Sequence, residues 1–188
     1  SALDFSNQDC QGSIFEFANL STCSFQGANL TGASFVGAQL SGCNFAKAEL
    51  ARSNFSAAKG TNVSFVGANM TDQVMMYGSE LTSADFTGAA VSKWVVVNSK
   101  LQGAEFAESN IQRLTCMNSN LNASTVSQCS IDASLFADCN LRYTHWSNVT
   151  AHRWVILNSH LQLSHMENNS LQRCQIAGDT WVTAATFS

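Results

Sequence analysis

Large apolar residues recur every five positions along most of the chain. Phe15, Leu20, Phe25, Leu30, Phe35, Leu40, Phe45, Leu50 and Phe55 set the rhythm. One extra residue falls between Met70 and Met76. The period then resumes as Leu81, Phe86, Val91, Val96, Leu101, Phe106 and Ile111, and runs on to Ile176 and Trp181. Taking the large residue as the centre of each unit gives 36 units from Phe5 to Trp181. The residue two before the centre is Ala, Ser or Cys in 25 of the 36 units. A period of five matches neither the helix, at about 3.6, nor the strand, at two. It predicts a chain that turns a corner every five residues. The centre and the small residue point inward, and the residues flanking the centre point outward.

A second period of twenty is visible within the first. Reading every fourth centre gives Phe5, Phe25, Phe45, Phe65, Phe86 and Phe106, then Val126, Trp146 and Met166. Another column is Phe15, Phe35, Phe55, Met76, Val96, Cys116, Phe136, Ile156 and Ile176. The two remaining columns are mainly aliphatic, one of them Leu20, Leu40, Gly60, Leu81, Leu101, Leu121, Leu141 and Leu161. Phenylalanine thus separates into two opposite columns, as four-sided coils stacked in register require. Each coil then contacts only its neighbours.

The units A-N-L-T-G (28–32), A-S-F-V-G (33–37), A-Q-L-S-G (38–42) and A-D-F-T-G (84–88) resemble the A-(D/N)-L-x-x motif of pentapeptide-repeat proteins. The resemblance covers nearly the whole chain. It implies an all-β fold, a right-handed quadrilateral parallel β-helix, or solenoid, of about nine coils. At roughly 4.8 Å per coil the rod would be about 40 Å long. The expected organisation is one domain over 1–188, with regular repeats over 3–183 and the insertion near 71–76.

Composition narrows the function classes. The chain has 188 residues, 45% of them hydrophobic, which argues against disorder. Only 12% are charged, and there is no proline. No stretch approaches the ~18–20 apolar residues of a membrane span, and no segment has the regions of a signal peptide. Nine Lys+Arg against thirteen Asp+Glu, net charge -4, give no basic surface for direct nucleic-acid binding.

Candidate chemistry is sparse. Five of the seven cysteines (Cys23, Cys43, Cys129, Cys139, Cys174) occupy the small inward position, and Cys10 and Cys116 are centres. Packing accounts for all of them, and no C-x-x-C pair suggests zinc. A reducing compartment suits such a chain, and the bacterial cytoplasm is the expected location, with a secreted effector as the alternative. His145 and His165 share an outward column one coil apart, but the sequence shows no third ligand beside them, so neither metal nor cofactor is expected. No G-x-S-x-G, phosphate loop or dinucleotide fingerprint is present. With a filled interior and scattered carboxylates, catalysis is not expected.

One side departs from the polar rule. Around the centres Met76 to Ile156, the outward residues are Met75 and Tyr77, Val95 and Val97, Thr115 and Met117, Leu135 and Ala137, and Val155 and Leu157. Five rungs make an apolar face of a few hundred Å², the size at which patches mark interaction sites. Lys93, Arg113, Arg153 and Arg173 line one border, with Arg52 lower in the same column. Beside them the small inward position holds Trp94 and Trp154, in the near-copies K-W-V-V-V-N-S-K-L (93–101) and R-W-V-I-L-N-S-H-L (153–161). A full-size centre leaves little room for an indole. Either it swings outward beside the basic residues, as in an interface hot spot, or it fills a widened coil.

Three classes of function follow. The first is a non-enzymatic protein-binding scaffold using the apolar face. The second comes from the family resemblance: some pentapeptide-repeat proteins resemble duplex DNA in shape and charge and bind bacterial gyrase or a related topoisomerase, giving quinolone resistance or toxin immunity. Asp85 and Glu105 are the clear adjacent acidic pair here, a weak field for a DNA mimic. The third is a self-associating structural rod.

Overall fold

The computed structural model describes residues 3–178 and the backbone of 186–187. Within it the chain winds into four-sided coils stacked in parallel. Strand Val95–Val97 pairs in register with Met75–Tyr77 before it and Thr115–Met117 after it, each about twenty residues away. Two faces carry six-stranded parallel sheets and a third a five-stranded one. Regular ladders therefore run through about six coils. Nearer the N-terminus the same stacking is made by single bridges, such as Asp4 to Ser24 and Ser24 to Asn44. We number the faces in chain order, starting with the one centred on Phe5. Trp181, expected as the last centre, lies outside the described residues.

The corner has a specific cause. Two residues after each centre the backbone takes positive φ, as at Gly27 (66°), Gly32 (70°) and Lys93 (55°). This left-handed step turns the chain before the next strand can extend. Glycine takes several of these corners because it lacks a Cβ, and asparagine takes others, including Asn98 and Asn118. The Asp or Asn before the centre supports the turn. Asn44 Oδ1 accepts the amide of Ala46 at 2.9 Å, and Asp85 Oδ1 that of Thr87 at 2.9 Å.

The interior is a set of ladders. Phe25, Phe45, Phe65, Phe86 and Phe106 stack nearly parallel, with centroids 4.9–5.2 Å apart. Rings of the opposite column meet them edge-on, as Phe35 meets Phe45 at 5.2 Å and 86°. Serine at the small inward position is satisfied without water. Ser79 Oγ donates to the Phe55 carbonyl at 2.8 Å and Ser109 Oγ to that of Phe86 at 2.7 Å. Cys43 and Cys129 direct their thiols at the corresponding carbonyls of Leu20 and Phe106. Cys and Ser interchange there because both are small and can donate to that oxygen.

Two irregularities resolve locally. The extra residue forms a bulge at one corner, where Asp72 and Gln73 both adopt positive φ (60° and 71°). The bridge partner of Asn54 is consequently Met75, one residue beyond the usual spacing. Gly60, the centre without a side chain, leaves no room for one. A Cβ there would lie 2.9 Å from Val63 Cγ2 and 2.9 Å from the Leu40 carbonyl carbon. Val63, at a position usually small, fills the space.

Candidate functional site

The apolar outward residues belong to the third face. Its strands are Met75–Tyr77, Val95–Val97, Thr115–Met117, Leu135–Ala137, Val155–Leu157 and Gln175–Ala177. Because the pairing is in register, the outward residues form two straight columns. One runs Met75, Val95, Thr115, Leu135, Val155 and Gln175, the other Tyr77, Val97, Met117, Ala137, Leu157 and Ala177. Alternation along each strand puts the centre inside and both neighbours outside. Among their large apolar residues, Tyr77 and Met117 are the most exposed, at 46% and 39%. Met75, Val95, Val97, Leu135, Val155 and Leu157 are half-buried, shielded by the residues above and below. Ala137, in the second column, is buried at 6%.

Sequence and structure differ over the tryptophans. Trp94 and Trp154 are only 1% and 2% exposed, so they back the face from inside and cannot contact a partner. The reason is volume. The third-face column changes from Phe55 to Met76, Val96 and Cys116, and Trp94 takes the place the missing ring leaves. It meets Phe86 edge-on at 5.2 Å, as the phenylalanines of the earlier coils meet each other. Trp154 packs likewise against Phe136 and Trp146, at 6.0 and 4.9 Å. Neither indole N–H has a hydrogen-bond partner.

The basic border exists, but much of it is paired. Lys93, Arg113, Arg153 and Arg173 are exposed at corners of the coil, each with positive φ. Asp72 lies between Arg52 and Lys93, at 3.3 and 3.4 Å. Asp132 receives two hydrogen bonds from Arg153, with Nη2 at 2.6 Å, and lies 3.0 Å from His152 Nδ1. These partners hold the Asp132 carboxyl below its ordinary pKa, Arg153 first. On the first face Asp85 and Glu105 are bridge partners, so the predicted acidic pair is adjacent. Glu80 is set singly between Lys59 and Lys100, at 3.6 and 3.3 Å. Lys59, Glu80 and Lys100 are successive bridge partners in one column, a signal the spacing carries, whereas Asp132 and Arg153 lie in different columns and Asp72 sits at the insertion.

The opposite border of the third face carries amides. Asn118 Nδ2 donates to Asn98 Oδ1 at 2.6 Å. Beyond it lies a shallow groove lined by Asn98, Lys100, Asn118, Asn120, Asn140 and His160. The face is thus flat and apolar, bounded by cations on one side and amides on the other. It has the shape of a docking surface.

Comparisons with known proteins place this geometry. Residues 1–37 and 38–72 match the family model described as pentapeptide repeats, in eight copies. A trypsin-treated form of QnrB1, described as a plasmid-mediated fluoroquinolone resistance protein, is similar with a TM-score of 0.77. It is 19% identical, and the match covers 94% of this chain and 92% of that one. Full-length QnrB1 is similar with a TM-score of 0.63 at 20% identity, covering 93% of this chain and 91% of that one. At such identities the likeness is one of fold. No curated protein matches the chain.

Proposed function

We propose that this chain, whose residues 1–72 match the pentapeptide-repeat family model, is a non-enzymatic scaffold that binds another protein through its third face. The observation that carries this reading is the in-register column pair from Met75 and Tyr77 to Val155 and Leu157. Stacked coils hold these side chains at fixed spacing, so little conformational entropy is lost on docking. Lys93, Arg113 and Arg153 form a polar rim, with Lys93 and Arg153 already paired to Asp72 and Asp132, around the apolar centre of the face. The proposed compartment is the bacterial cytoplasm, where seven free thiols stay reduced.

The test is site-specific crosslinking from position 97 in cells, beside light scattering of the purified protein over a range of concentrations. A heterologous adduct lost in Val155→Glu supports the scaffold. A concentration-dependent mass abolished by Val97→Glu assigns the face to a second copy, the self-associating rod. If neither is seen, the third face is removed from consideration.

A second reading is modulation of bacterial gyrase by DNA mimicry. It is favoured by the fold-level likeness to QnrB1 along 94% of the chain. Against it stand the carboxylates at Asp72, Glu80 and Asp132, each neutralised by cations from neighbouring coils. Among the described residues, Asp85 and Glu105 are the bridge-paired carboxylates that present the adjacent charge a duplex mimic needs. Purified gyrase supercoiling, with and without a quinolone, separates the two. Inhibition or drug protection at low micromolar protein favours mimicry, and no effect at much higher concentration leaves the third-face scaffold.

A further inference from the structure

His145 and His165 are bridge partners on the first face, one coil apart. Their imidazole rings stack 5.2 Å apart at an interplanar angle of 12°. The third residue at this place is Glu167, two positions after His165 on the same strand and therefore on the same outward side. Its carboxylate reaches both rings. Oε1 lies 3.4 Å from His145 Nε2, and Oε2 lies 3.2 Å from His165 Nε2. One donor atom from each residue falls within 4.8 Å of the other two. All three side chains are half-buried and open to solvent on one side.

We propose that His145, His165 and Glu167 form a binding site for a first-row divalent cation of the zinc class. Two imidazole nitrogens and one carboxylate oxygen are the donors of many three-ligand zinc sites. Nitrogen donors favour zinc, copper, nickel or cobalt over magnesium and calcium, which take oxygen. Ligand atoms about 2.0–2.1 Å from a tetrahedral zinc are themselves roughly 3.4 Å apart. The two histidine–glutamate distances, 3.4 and 3.2 Å, are close to that value but run to different carboxylate oxygens. Binding then requires that the stacked rings pivot and that the carboxylate turns one oxygen toward the point where the two Nε2 atoms converge. The fourth position faces solvent and takes water, or a ligand from a protein docked on the first face. The rigid ladder supplies preorganisation, since Trp146 and Met166, the centres beside the histidines, are buried in the core.

The test is calorimetric titration of tag-free protein with zinc chloride in a non-chelating buffer, paralleled by cobalt(II) titration read in the visible spectrum. Expected are one-to-one zinc binding in the micromolar range and a tetrahedral cobalt band. His165→Ala and Glu167→Gln should each weaken binding roughly tenfold or more. His152→Ala and Cys174→Ser should leave it unchanged, which separates this site from the His152–Asp132 pair and from thiol binding. Far-ultraviolet dichroism of each variant confirms the fold, and Glu167→Gln preserves side-chain shape. The absence of saturable zinc binding overturns the proposal, as does binding that survives both site variants or is abolished by Cys174→Ser.

Discussion

The Trp94 indole stands edge-on to the Phe86 ring, with centroids 5.2 Å apart and planes at 61°. In earlier coils a third-face phenylalanine holds that relation to the first-face stack, as Phe35 does to Phe25 at 5.6 Å and 86°. Where the third-face centre shrinks to Val96, the neighbouring inward position grows to tryptophan. The coil keeps its volume by exchanging which of two positions is large.

Trp94→Ala should therefore destabilise the protein by about 3–5 kcal/mol, the range for deleting a buried aromatic side chain. Trp94→Phe should cost less than half of that, because an edge-on ring remains. Urea denaturation of both variants checks the order. Equal losses would show that a phenyl ring at this position restores neither the edge-on contact nor the volume.

Gly60 and Val63 form a second exchange of the same kind. Gly60→Ala should destabilise by about 1–3 kcal/mol, because its Cβ meets Val63 and the Leu40 backbone at 2.9 Å. Adding Val63→Ala should recover part of the loss, since one of the two close contacts disappears. A double-mutant cycle measures the coupling.

Val97→Glu places a charge on the third face, at a half-buried outward site. Thermal stability should change only slightly, by roughly 0.5–1 kcal/mol. Partner binding or self-association should fall at least tenfold. Unchanged association in a folded variant would remove this face from the mechanism.

Thiol reactivity should be low in the native state. Burial pushes the Cys43 thiol up to about 12, and burial likewise raises Cys129. Near neutral pH these groups are not thiolates and do not attack a disulfide reagent. Ellman titration of native protein should label at most Cys10 and Cys174, the two cysteines that are not fully buried. Denatured protein should release all seven.

Asp132 gives a pH dependence of defined sign. Its carboxyl is held below its ordinary value of 3.8 by Arg153 and His152. The folded state thus favours the ionised form, and that stabilisation is fully present above 3.8. It is lost as pH falls through the lower folded value. The pair is exposed, so the effect is small. The melting temperatures of the native protein and Asp132→Asn should differ near neutral pH and converge at strongly acidic pH.

The period of five, read with the column period of twenty, was enough to place every inward centre from Leu20 to Met166. Each unit is decided by contacts with equivalent units one coil away, so a local pattern carries the global arrangement. The bulge at Asp72–Gln73 was visible as a register shift but not as a geometry. What the sequence could not decide was the direction of Trp94 and Trp154. That depends on the volume of a centre two residues away and of rings on the opposite face, a sum over a whole coil. Nor could it join Glu167 to His145 and His165. Side-chain reach across rungs fixes that meeting, and likewise the pairing of Asp72 and Asp132 with basic residues of other coils. Periodicity determines which way a side chain faces; only the packed coil determines whether there is room for it and what it meets there.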